Sequence, residues 1–236
     1  MSNREYESLE KIQKQALYNI FNISQSAPYI AFLSEIGILP AKKQILIKKI
    51  NLYHTLKTSD DKRVAKKVLE QQEASEKEGS WYVELKNEVM KYDMAEVLEI
   101  GKTKKEVKKK VNETFKKQIE IDLSKAGTKS RFVKQFGEKR YLAELGKSDT
   151  KIYIDIRLNM TKLKMNFKSS EYDLKCRGCQ MENETTEHVV KCRSIKTMIS
   201  WPDEKILEEN CFLNTDDIDK VRATIEYFKT MLEHFI

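Results

Sequence analysis

Three cysteines and one histidine, Cys176, Cys179, His188 and Cys192, fall within 17 residues in the spacing C-x2-C-x8-H-x3-C. Thiolate and imidazole ligands at such spacing suit tetrahedral zinc. A C-x2-C pair lets two sulfurs of one knuckle face a common point, and Gly178 is expected to permit the turn. Thr185 or Thr186 can cap a helix on which His188 and Cys192 sit at i and i+4, on one face. Four protein ligands close the site and leave no place for a catalytic water, so Zn2+ here is structural and residues 170–200 depend on it for their shape. The competing reading is three unrelated thiols beside an incidental histidine. A disulfide framework is disfavoured for an intracellular chain. Cys211 lies outside the spacing and reads as a lone core thiol. His54 reads as a packed residue, and His234 as a complement to a helix C-terminus.

No other constellation points to catalysis. The chain has no Ser/His/Asp set, no Gly-rich phosphate loop and no open metal site. Thr58–Asp61 falls between predicted helices and suits a cap. Pro202-Asp203-Glu204-Lys205 superficially resembles nuclease carboxylates, but capping explains it better. The expectation is a protein that is not an enzyme.

Charge suggests the partner. The 236 residues carry 44 Lys and Arg against 37 Asp and Glu, a net +7. Residues 102–117 hold eight Lys against Glu106 and Glu113, so this short stretch is +6. Residues 129–168 hold 11 basic and 4 acidic side chains, whereas 169–236 hold 9 and 14. A basic middle fits a polyanion gripped through phosphates; a solvated lysine face is the bland alternative. Only eight of the basic residues are Arg, which favours backbone over base contacts. The candidate contacts are Lys104, Lys105, Lys108, Lys109, Arg131, Lys134, Lys139, Arg140, Arg157, Lys162 and Lys164. Phe132, Phe136, Tyr141, Tyr153 and Phe167 are interleaved among them, either as core or as base-stacking platforms.

Helices must position these groups. Glycine and proline are scarce, and apolar residues recur at helical spacing. Residues 4–23 predict an amphipathic helix with Leu9, Ile12, Ala16, Leu17 and Ile20 inward. Helices follow over 41–57 (Leu46, Ile50, Tyr53 and Leu56 inward) and Asp60–Glu73, then a linker over 73–80. Ser80 can cap a helix over 81–99. Thr103 and Glu106 form a capping box for a helix with Val107, Val111, Phe115 and Ile119 inward. After a loop at Ala126–Lys129, a helix is expected over 131–145, broken near Gly137. Residues 150–160 fit helix or strand, with helix preferred. A last helix over 216–235, capped by Thr215, carries the seam Ile218, Val221, Ile225, Phe228, Leu232 and Phe235, which more often packs on its own core than in a coiled coil.

The string CRGCQMENETTEHVVKC resembles the C-terminal zinc-binding segment of non-LTR (LINE-type) retrotransposon reverse transcriptases, with its C-x2-C, acidic stretch, E-T-x-E-H and Cys four residues after the His. Residues 9–56 resemble the helical region after the polymerase palm and thumb, and 129–168 the approach to the zinc module. The resemblance covers roughly residues 8–200. It implies that the basic segment with its zinc module helps grip template RNA or target DNA; the sequence itself holds no Y/F-x-D-D polymerase pair.

The expected fold is mainly α: a helical bundle, a small CCHC zinc module and a C-terminal helix. In chain order the divisions are a helical domain (1–100), a basic helical region (101–168), the zinc module (169–200) and a C-terminal segment (201–236). The expected function is non-catalytic binding of RNA or DNA. The rival is a scaffold module that no longer binds nucleic acid and recruits a polymerase subunit or other protein through 218–235. No apolar run approaches the roughly 20 residues of a membrane span, and residues 1–10 lack a signal-peptide core. The expected setting is intracellular, nuclear or cytoplasmic.

Overall fold

With seven Gly and three Pro in 236 residues, little interrupts helix formation. Pro28 and Pro40 stand at N-caps, where the N–H they lack has no intrahelical partner to lose. The computed structural model describes residues 3–99, 104–125, 132–166, 173–201 and 217–235. These form helices α1 (Asn3–Phe21), α2 (Tyr29–Glu35), α3 (Ala41–Lys57), α4 (Val64–Ser75), α5 (Trp81–Met90), α6 (Lys104–Lys125), α7 (Tyr141–Glu144), α8 (Lys147–Arg157), α9 (Thr186–Lys191), α10 (Arg193–Met198) and α11 (Ile218–Phe235). Among the described residues there is no strand, and the fold is mainly α as expected.

The chain divides into two compact units: residues 1–13 with 39–119, and residues 14–38 with 120–236. The unit boundaries fall inside α1 and α6 and between α2 and α3.

In the first unit α3, α4, α5 and α6 share one apolar core. Leu46, Ile50 and Tyr53 of α3 meet Leu69, Leu85 and Val89, and Val107, Val111 and Phe115 of α6 close the cluster. The inward stripes predicted for α3 and α6 are buried, Leu56 partly so. Ser80 caps α5, its hydroxyl accepting from Val83 N–H. The helix expected over 81–99 stops at Met90. Asp93 adopts a left-handed φ of 52°, Met94 N–H returns to Val89 O, and a 3-10 turn over Ala95–Leu98 carries Val97 inward. His54, buried as expected, donates to Val97 O at 2.6 Å.

The face predicted for α1 is overturned. Leu9, Ile12 and Ile20 are 36%, 64% and 60% exposed, whereas Tyr6 and Tyr18 are buried. Polar handles set the rotation. Tyr6 joins Lys49, and Gln13 bridges Leu39 O and Ala41 N–H at the start of α3. In the second unit, Tyr18 hydroxyl donates to Ala27 O and its ring meets Phe32 edge-on.

The second unit packs α11 against α7 and α8. The ambiguous 150–160 stretch is helical through Arg157. Residues 132–140, by contrast, are not the expected helix. Their backbone serves a neighbour instead: Gly137 N–H donates to Ser34 O, and a Cβ on Gly37 (φ +69°) would lie 2.5 Å from Glu138 N. Asp217 caps α11 by accepting from Lys220 N–H; Thr215 lies outside the described residues. Val221, Ile225 and Phe228 of its seam are buried in the protein's own core.

Candidate metal centre

The C-x2-C segment lies in a short turn. Lys175 and Asn183 form an antiparallel bridge, and Cys176 N–H donates to Glu182 O at 2.7 Å. Within the turn, amides of Gly178 and Cys179 face Cys176 Sγ, and those of Met181 and Glu182 face Cys179 Sγ. Gln180 takes the left-handed φ of 59°; Gly178 does not. Glycine is required at 178 for a different reason from the one expected. A Cβ there would stand 2.6 Å from Ile195 Cγ1 and 2.9 Å from Ile195 N, so α10 could not approach the knuckle.

The helical half starts where expected. Thr185 hydroxyl caps α9, accepting from His188 N–H at 3.1 Å. Cys192 keeps its backbone bond to His188 O but sits just past the helix, with ψ at 107°, where α9 gives way to α10.

The ligand atoms of Cys176, Cys179, His188 and Cys192 all lie within 4.8 Å of one another, a group that could hold a metal ion. Cys176 Sγ and Cys192 Sγ are 3.8 Å apart, and Cys179 Sγ and His188 Nε2 3.3 Å. Metal–sulfur bonds of about 2.3 Å and a metal–nitrogen bond of about 2.0 Å give tetrahedral edges of about 3.8 and 3.5 Å. The donor set therefore fits a small tetrahedral cation. His188 presents Nε2 to the sulfurs while Nδ1 lies 3.2 Å from Glu182 Oε2, an arrangement that orients the ring. Burial pushes the Cys176 thiol up to about 11. The Glu182 and Met181 amides hold Cys179 down at about 6, as a thiolate ligand requires.

Polar anchors not evident from spacing tie this module to the rest of its unit. Glu184, 2% exposed, accepts from Lys164 N–H, Arg177 N–H and Arg177 Nε. Arg177 also donates to Lys162 O and Phe235 O, the latter at the end of α11. Thr186 hydroxyl donates to Asn159 Oδ1 at 2.8 Å, and Tyr227 hydroxyl donates to Val189 O. The cue for Glu184 was its place just before the capping threonine; nothing in the spacing signalled Arg177.

The candidate phosphate contacts scatter. Lys105, Lys108 and Lys109 are exposed on α6 in the first unit, as is Lys134 in the second. Lys162 is exposed; Lys139 is half-buried; Arg140 pairs with Glu144. Lys164 donates to Lys175 O and serves the module. Arg131 and the side chain of Lys104 lie outside the described residues. Arg157 is overturned as a contact. It is 3% exposed and bidentate to the buried Glu35 at 2.9 and 3.0 Å, with Tyr141 donating to the same carboxylate. A cation so enclosed cannot reach a phosphate. Phe132, Tyr141 and Tyr153 are likewise buried, leaving Phe136 half-buried; Phe167 is outside the described residues. Thr58–Asp61 forms a turn in which Asp60 accepts from Lys62 N–H. Cys211 and Pro202–Lys205 are outside the described residues.

Known proteins do not decide the matter. No protein family matches the chain, and no curated protein or solved structure is significantly similar to it. No helix among the described residues is long and apolar enough to cross a membrane.

Proposed function

We propose that this chain is a non-catalytic nucleic-acid-binding protein with a structural zinc ion, akin to the C-terminal region of non-LTR reverse transcriptases. The observation that carries the reading is the outer surface of α6. Val107, Val111, Phe115 and Ile119 turn inward, and Lys105, Lys108, Lys109, Lys116 and Lys117 are exposed, without a carboxylate partner among the described residues. Lys110 alone of the described first-unit lysines on this helix pairs, with Glu96. Ammonium groups held on a rigid helix and lacking counter-charges suit the counterion-releasing grip of phosphates. The four-ligand centre supports the same reading as a structural element: its donor set suits zinc and leaves no open position.

The scaffold alternative is less favoured through 218–235, where Val221, Ile225 and Phe228 of the seam are buried and Ile218, Leu232 and Phe235 are half-buried. The test is an anisotropy titration of the full chain with duplex DNA and single-stranded RNA across salt. Replacing Lys105, Lys108 and Lys109 by Gln removes up to three phosphate contacts and flattens the log–log salt slope on duplex DNA by up to about 2.7. An unchanged affinity and slope overturns the reading.

A further inference from the structure

We infer that the Cys/His centre is an oxidation site: Cys179 is the sulfur that a hydroperoxide meets first, and its reaction joins Cys179 to Cys176 and expels the metal. The inference rests on the metal reading above.

The donors are unequally sheltered. Cys176 is fully buried and Cys192 is 6% exposed, whereas Cys179 is half-buried. Cys179, His188 and Cys192 line one open pocket of about 410 Å³, with Met181, Thr185 and Arg193 among its other walls; Cys176 is not one of them. Hydrogen peroxide is little larger than a water molecule, which occupies about 30 Å³, so the pocket admits it freely. Solvent thus reaches one face of the ligand set and is kept from the other.

A metal with four protein ligands offers no open position, but thiolate is the form of cysteine that both binds metal and attacks electrophiles. Cysteines that respond to peroxide combine access with a second sulfur close by. Cys179 has both. The Cys176 side chain is hydrogen-bonded to it, and the turn between them is closed by Gln180 N–H donating to Cys176 O at 2.9 Å. A turn this tight brings residues i and i+3 within about 7 Å at Cα, the reach of a disulfide.

In the first step Cys179 Sγ attacks one peroxide oxygen. An S–O bond forms, the O–O bond breaks and hydroxide leaves; two electrons pass from sulfur to peroxide, and Cys179 becomes a sulfenic acid. The Cys176 thiolate then attacks that sulfur. An S–S bond forms, the S–O bond breaks and a second hydroxide leaves; two protons from solvent turn both hydroxides into water. His188 and Cys192 are then the only donors left of the four, too few for a closed tetrahedral site, and the metal departs. A thiol reductant restores the centre: two thiols give up their hydrogens to the disulfide and are themselves joined. Met181, 73% exposed beside the pocket, is the competing target, but its sulfoxide leaves all four donors in place.

The test treats the natively purified, zinc-containing full chain with about one equivalent of hydrogen peroxide. A chromogenic chelator follows zinc, and peptide mapping follows the sulfurs. The expected result is release of the zinc, a Cys176–Cys179 disulfide, and recovery of the centre with dithiothreitol and added zinc. A sulfenic-acid trap present during the reaction should mark Cys179 before any other cysteine. Cys179→His keeps a nitrogen donor for zinc and should slow release at least about tenfold. If that variant holds no zinc, trapping in the parent chain decides. Retained zinc, Met181 sulfoxide alone, or a bridge that omits Cys176 or Cys179 would overturn the inference and leave the metal reading intact. A native chain without zinc would overturn both.

Discussion

The first-unit helices and the 174–201 module are held by different means. In the former, eleven buried side chains from α3 through α6 form one continuous apolar cluster, and ion pairs such as Lys57–Glu73 sit at its margin. In the latter, Val189, Val190, Ile195 and Ile199 are the buried aliphatic residues, and much of the remaining cohesion is polar: four converging donors, Glu184, Arg177 and Thr186. An apolar core tolerates the loss of one contact in proportion to the volume removed. A ligand set loses its function when one donor is withdrawn, because the geometry needs all four. The two regions should therefore fail separately and by different triggers.

The largest expected effect is metal removal. Structural zinc sites in small modules contribute on the order of 10 kcal/mol or more. Chelation should abolish amide protection over 174–201 in hydrogen exchange while α3, α5 and α6 keep theirs; uniform loss across both regions would erase the distinction. Next is the core. Phe115→Ala should cost about 3–5 kcal/mol by chemical denaturation while leaving metal stoichiometry intact. The buried pair of the second unit gives a comparison free of metal. Arg157→Met leaves Glu35 enclosed without its cation and should cost about 3–5 kcal/mol; a loss under 1 kcal/mol would contradict its burial. Gly178→Ala probes the contact between knuckle and α10. The Cβ clash with Ile195 should cost about 1–3 kcal/mol and weaken metal retention.

The smallest effect concerns pH. Burial pushes the Tyr18 hydroxyl up to about 12, above its ordinary 10. A raised value means the folded state favours the neutral phenol, so its contribution is whole below pH 10 and is lost as pH rises from 10 through 12. Tyr18→Phe should thus show a shallower alkaline decline in stability than the parent. Equal declines would show that Tyr18 ionises as freely in the fold as out of it.

How much of this was legible beforehand depended on the kind of signal. Helical periodicity placed α3, α6 and α11: the predicted stripe is buried throughout α6, in α3 but for the half-buried Leu56, and in α11 at Val221, Ile225 and Phe228. Ligand spacing placed the candidate metal centre, since Cys176, Cys179, His188 and Cys192 do converge. Periodicity misplaced the face of α1, where tyrosine hydroxyls and the Gln13 amide outweighed Leu9, Ile12 and Ile20. Of the helix it proposed over 131–145, Tyr141–Glu144 is helical, whereas 132–140 is not and Gly137 N–H bonds to Ser34 O instead. Arg157 looked like surface charge because its partner, Glu35, is 122 residues away. Long-range pairing of polar groups leaves no trace in local spacing.

The most direct measurement is elemental analysis of the natively purified full chain, alongside Cys192→Ser. One zinc per chain, lost in the variant together with amide protection over 174–201, is the predicted result. A chain that carries no metal yet protects those amides, or a variant indistinguishable from its parent, would contradict the account.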